Sequence, residues 1–159
     1  MSLNPLIRQA TPADIPEILR HRRGMYEAMG YSDANALSSM QSTCEPYLMA
    51  ALADGSFRGW LALVGERVVA GGAVLINPWP SHPYDLECRR ATILNVYVDP
   101  EFRRKGIARQ LMRTMIDWCR KEGFAAVYLH ASNHGRALYE TLSFEPTTEM
   151  RLKLREIGH

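Results

Sequence analysis

Apolar positions along the chain alternate between the spacing of strands and the spacing of helices. Leu6-Ile7-Arg8-Gln9-Ala10 is a short extended run. Thr11 as an N-cap, Pro12 at the first helical position and Asp14 three residues after the cap then mark a helix start. Ile15, Ile18, Leu19, Arg22, Met25, Tyr26 and Met29 fall on one helical face, which predicts Met25 and Met29 in the core, and Gly30 is the stop. Tyr31 to Ser39 is polar and turn-rich, and Tyr47-Leu48-Met49-Ala50-Ala51-Leu52 predicts a short second helix ended by Asp54-Gly55. Trp60–Val64 and Arg67–Ile76, joined by Gly65-Glu66, predict a hairpin. Within its second strand Gly71-Gly72 marks a bulge or a close backbone approach. Pro78, Pro80 and Pro83 make Asn77–Arg89 a loop.

Ala91–Val98 is the next apolar run, followed after a break by Ile107, Leu111, Met112, Met115, Ile116 and Trp118-Cys119 on one face of a helix that runs to Glu122-Gly123. Ala125–His130 is again a strand, and the intervening helix makes it parallel to Ala91–Val98 in a right-handed crossover. Ser132-Asn133 caps a short helix over Arg136–Leu142, and Phe144 and Met150–Leu154 read as closing strands. No internal repeat is visible, and the chain length of 159 residues predicts one domain over 1–159.

Charge narrows the classes of function. Nineteen basic against seventeen acidic residues leave a net charge of +2 without a long like-charge block, so bulk electrostatics support neither nucleic acid nor a membrane surface as a partner. Cys44, Cys88 and Cys119 are odd in number and far apart, which points to neither a disulfide framework nor a zinc site. No apolar stretch reaches the roughly 18 residues of a membrane span, and the first residues carry no signal-peptide core, so a cytoplasmic location is expected.

The chemistry gathers at Val98-Asp99-Pro100-Glu101-Phe102-Arg103-Arg104-Lys105-Gly106-Ile107-Ala108-Arg109. Pro100 has no N–H to continue the ladder of the strand before it, and Gly106 beside Ala108 leaves the backbone bare where the helix begins. Free N–H groups, the positive end of the helix dipole and the side chains of Arg103, Arg104, Lys105 and Arg109 together suit a multiply charged anion such as a phosphate ester. Neither GxxxxGK[ST] nor GxGxxG is present.

What is present, R-x-x-G-x-A after V-x-P, resembles the pyrophosphate-binding loop of the GNAT acyl-CoA transferase superfamily. A second stretch strengthens the resemblance: His130 to Phe144 is similar to the family's N-x-x-A-x-x-L-Y-E-x-x-G-F. Two departures occur there. Ser143 stands where the family has glycine, so a serine must make or alter the left-handed turn, and either Ser132 or Asn133 takes the asparagine's role. The resemblance covers nearly the whole chain. It implies an α/β (α+β) fold with a mixed central sheet of about six or seven strands, about four helices, and a splayed parallel pair, strands four and five, forming the acyl-CoA cleft.

The same resemblance implies acetyl-CoA as co-substrate, no metal, and transfer of an acetyl group by direct attack of a small-molecule or peptide amine. A homodimer stays open as an assembly. Cofactor contacts would come from the backbone of Val96, Tyr97 and Val98, from Arg103, Arg104, Lys105, Gly106, Ile107, Ala108 and Arg109, and from Asn133 and Arg136. Tyr139 would donate a proton to the departing thiolate, because a phenol with a pKa of about 10 keeps its proton at neutral pH. Relatives place a glutamate or histidine on the fourth strand as base, but this chain has Leu94 and Thr92 at those positions. His130 and Glu87 are the substitutes, and deprotonation through water is the default. Tyr26, Glu27, Tyr31 and Asn95 are the acceptor candidates, and the aromatics of the 77–89 loop are expected in the acceptor wall. The missing base leaves an alternative, a non-catalytic acyl-CoA-binding module on the same fold.

Overall fold

The computed structural model describes residues 3–158. Its first turn follows from two side chains: the Asp14 carboxylate accepts from the Thr11 N–H at 2.8 Å and pairs with Arg8 at 2.8 Å, which ties strand β1 (Leu6–Gln9) to the start of helix α1 (Ile15–Ala28). Gly30, at φ 99°, stops α1. Helix α2 (Ala34–Asp54) is far longer than the predicted Tyr47–Leu52. Asp33 caps it by accepting from the N–H groups of Asn35 and Ala36, both at 3.0 Å, so the polar stretch after Tyr31 is mostly helix rather than turn. The helix carries Pro46 in its interior and ends at Gly55, φ 81°.

Strands β2 (Phe57–Val64) and β3 (Arg67–Pro78) form the expected hairpin, β4 (Arg89–Val98) pairs antiparallel with β3, and β5 (Val127–Leu129) pairs parallel with β4, giving the order β1-β2-β3-β4-β5. Helix α3 (Ile107–Lys121) crosses between β4 and β5, and α4 (Arg136–Thr141) follows β5. The sheet separates two cores. Ile107, Leu111, Met112, Met115 and Cys119 of α3 pack on Trp60, Val74 and Ile93, whereas Ile15, Ile18 and Leu19 of α1 and Leu48 and Ala51 of α2 pack on Phe57 and Ala73 across the sheet.

Two expectations fail at the chain's margins. Among the described residues the sheet has five strands, not six or seven, because residues 144–158 form no strand and Met150, Leu152 and Leu154 stand almost fully exposed. Alternation marks a strand only if a neighbouring edge receives it, and here none does. Met29 also lies outside the core, since it caps α1 beyond the packed face.

Candidate functional site

Strand β4 carries the feature that shapes the site. Its pairing with β3 runs Gly71↔Tyr97 and then Ala73↔Leu94, so β4 holds one residue more than its partner: a bulge. Asn95 sits in it at φ 59°, a left-handed conformation that asparagine tolerates better than most residues. The glycines opposite are the close approach expected from sequence: a side chain at Gly71 would strike the His21 ring, and one at Gly72 would strike Met115. The bulge itself belongs to the partner strand.

On its other edge β4 leaves β5 just before the bulge. Parallel pairing covers Ala91↔Val127, Thr92↔Tyr128 and Ile93↔Leu129 and then stops, although β4 continues to Val98. The backbone of Leu94–Val98 therefore faces a gap where the two strands diverge, as the splayed pair requires.

At the end of β4 the buried carboxylate of Asp99 is held by Arg20 at 2.7 Å and Arg67 at 3.4 Å, and the Asp99 N–H donates to Val69 O at 2.8 Å. These contacts fix the point from which the loop departs. Pro100–Phe102 make a short 3₁₀ turn, Arg104 turns left-handed at φ 62°, and Gly106, φ 82°, is the N-cap of α3. Among the described residues the N–H groups of Arg104, Lys105, Gly106, Ile107, Ala108 and Arg109 find no protein acceptor; the next N–H, of Gln110, donates to Gly106 O at 3.2 Å. A run of unbonded amides at a helix start is an anion cradle. Around it Arg104 is exposed, the Arg103 Nε donates to Val98 O at 2.9 Å, and the Lys105 ammonium lies 5.7 Å from the Phe102 ring centroid.

Arg109 donates to the Thr141 hydroxyl at 2.8 Å, joining the start of α3 to the end of α4. On α4, Tyr139 is half-buried over Gly135 and meets Phe144 edge-on at 6.1 Å; burial pushes its phenol up, which keeps the hydroxyl protonated at neutral pH. Ser143 does make the left-handed turn, at φ 71°. Of the two candidates for the asparagine's role, Ser132 binds the backbone, its hydroxyl accepting from the Gly135 N–H at 3.1 Å, while Asn133 and Arg136 are exposed, Arg136 facing Glu140 at 3.6 Å.

The remaining candidates scatter. His130 is exposed one residue past β5. Glu87 lies before β4 begins, beside Arg89, at the opposite end of that strand from the loop. Tyr84 is 93 % exposed, and Trp79 stacks on Arg90, whose guanidinium also covers Tyr128 at 3.8 Å. Tyr26 and Tyr31 meet edge-on at 5.3 Å at the end of α1, and Glu27 pairs with Arg23. Two inward-facing residues of α1 lie near the bulge without belonging to any sequence motif. His21 is 2 % exposed and stacks on Tyr97 at 5.4 Å, and Arg22 donates to the Asn95 side-chain oxygen at 2.7 Å. The signal for Arg22 was its place on the apolar stripe.

Among the described residues no group of His, Cys, Asp and Glu side chains could hold a metal, and no helix is long and apolar enough to cross a membrane.

The sequence profile of the Acetyltransferase (GNAT) family matches residues 19–144. Human N-acetyltransferase 8 is 29% identical over 123 residues, 74% of this chain and 49% of the relative, so the chain spans about half the length of that curated protein. A GCN5-related N-acetyltransferase from Ralstonia eutropha JMP134 superposes with a TM-score of 0.88 at 36% identity, covering 95% of this chain and 99% of the other. A predicted acetyltransferase from Clostridium acetobutylicum, solved with acetyl-CoA, has the same fold: TM-score 0.86, 22% identity, 96% of each chain covered. With the divergent parallel strands, the bulge and the amide-lined loop in place, the chain belongs to the GNAT acetyltransferase family.

Proposed function

We propose that the protein is an acetyl-CoA-dependent N-acetyltransferase that acts on a primary amine by direct attack within a ternary complex. The observation that carries this reading is the run of unbonded N–H groups from Arg104 to Arg109. It fits a diphosphate in number of donors, in sign and in the cationic side chains around it. Family membership, and the acetyl-CoA in the Clostridium acetobutylicum structure, agree with that ligand.

The co-substrate supplies an activated thioester; this chain supplies positions and protons. The amides of Arg104–Arg109 hold the diphosphate, and the edge of β4 that β5 leaves unpaired offers the N–H and C=O of Val96 and the N–H of Val98 to an extended amide-bearing arm, as an added strand would. Beside that edge, a strand N–H can polarise a carbonyl. The Tyr139 hydroxyl, kept protonated by burial, donates to the leaving thiolate. Because β4 presents Thr92 and Leu94 where a base would stand, the amine's proton leaves through water, with His130, exposed one residue past β5, as the side chain to receive it.

Calorimetric titration with coenzyme A tests the loop. The wild type binds, and Arg104→Glu, exposed and away from the core, weakens binding by about 10-fold or more. Equal affinities would remove the loop assignment. In steady-state assays Tyr139→Phe lowers kcat by about 10²-fold with little change in coenzyme A affinity, and wild-type turnover would remove Tyr139 from the mechanism. Coenzyme A binding with no thiol release for any amine would establish the non-catalytic module instead.

A further inference from the structure

Helix α1 carries arginines at 20, 22 and 23, and two of the three are neutralised. Arg20 pairs with Glu17 and Asp99, each within 2.8 Å, and Arg23 pairs with Glu27 at 2.6 Å. Arg22 makes no ion pair with any Asp or Glu among the described residues, yet it is the one on the inward stripe, half-buried.

Its partners are neutral. One terminal nitrogen donates to the Asn95 side-chain oxygen at 2.7 Å, the other donates to the Tyr26 hydroxyl at a long 3.3 Å, and the buried Nε has no partner. The Tyr26 ring lies 5.2 Å from the guanidinium, and from α2 the groups close enough to feel its charge are Cys44 and Tyr47, neither of them a carboxylate. Asn95 holds its place in a left-handed conformation, φ 59°, so backbone strain is accepted where an amide oxygen steadies this cation. These contacts orient the charge without cancelling it. A guanidinium taken partly out of water ordinarily finds an anion, and its planar fork matches a carboxylate.

The location says which anion. Arg22 bridges α1 to the β4 bulge, at the first residues of β4 left unpaired by β5, on the sheet face covered by α1 and α2 rather than on the face of α3. Asn95 belongs to the stretch of β4 past Ile93 that β5 leaves unpaired, so the Arg22 guanidinium is tied to the strand that borders the gap.

We propose that the acceptor amine also carries a carboxylate, that this carboxylate displaces the weak Tyr26 contact to pair with Arg22, and that Arg22 is therefore a specificity-determining residue. The proposal rests on the acetyltransferase reading above.

Matched amines that differ only in carboxylate against carboxamide test it, one set of free amino acids and one set of dipeptides. The wild type should favour the carboxylate member at least 10-fold in kcat/KM in one set, which also tells a free amino acid from a peptide terminus. Arg22→Gln should bring that ratio close to one through KM, with coenzyme A affinity unchanged, and Arg22→Lys should restore part of it. A structural role for Arg22 would depress both members alike and leave the ratio intact, overturning the proposal. Equal use of both members by the wild type would also overturn it while leaving the acetyltransferase reading in place. Failure of every amine together with failure to bind coenzyme A would overturn both.

Discussion

Between Gly71 and the ring of Tyr97, α1 buries an imidazole that is 2 % exposed. Burial, and then the charge of Arg20 3.1 Å from Nε2, push His21 down to about 4, against the opposing pull of Glu17 and Asp99. The ring is therefore neutral in the folded protein at pH 6, while in the unfolded chain it is substantially protonated. Its neutral burial contributes fully above pH 6.5 and is lost as the pH falls toward about 4, where the unfolded state binds the extra proton. The loss should approach about 3 kcal/mol. Urea unfolding at pH 7 and pH 4.5 should show this drop in the wild type and a clearly smaller one in His21→Gln; equal drops would place the cause elsewhere. Single residues were legible in the sequence where backbone chemistry alone decides. Pro100, Gly106 and Ser143 behave as their φ preferences or their motif position required. Arg22 and His21 were not, because the value of a buried polar side chain lies in partners such as Asn95 and Gly71 that are distant along the chain.

At the scale of elements, α3 and α2 differ in how openly they announce themselves. Ile107, Leu111, Met112, Met115 and Cys119 repeat on one face, and α3 formed where that pattern predicted it. In α2 only Leu37, Leu48 and Ala51 are buried, and half of its apolar residues are exposed, so the periodic signal is faint. Pro46 disguises it further. Proline removes one hydrogen bond and crowds the carbonyl four residues back, yet here the Asp33 cap, the Gly55 stop and the packing of Leu48 and Ala51 on the sheet carry the helix through. Pro46 is exposed, so Pro46→Ala removes the penalty without opening a cavity. Thermal or urea unfolding should show a gain of about 1–3 kcal/mol. No gain would mean that the helix had already relaxed around the proline.

For the molecule as a whole, the crossover from β4 through α3 to β5 was legible, since a strand, a bare helix start and a second strand can join only one way. The exposed tail was not: Met150, Leu152 and Leu154 alternate like a strand, but a strand needs a receiving edge, which no local pattern encodes. Because all three face solvent, their joint replacement by serine should leave the unfolding midpoint within the small range of surface changes, about 0.5 kcal/mol per site. A loss of several kcal/mol would show that they are packed. The extra residue in β4 has the widest reach. It lets consecutive side chains, Leu94 and Asn95, both meet the layer of α1 and α2, and it returns Val96 and Val98 to the layer of α3. Shortening that strand by one position would turn everything after it inside out: valines would meet the arginine and the tyrosine would meet the methionines. Composition there can drift a little, but the count of residues is locked.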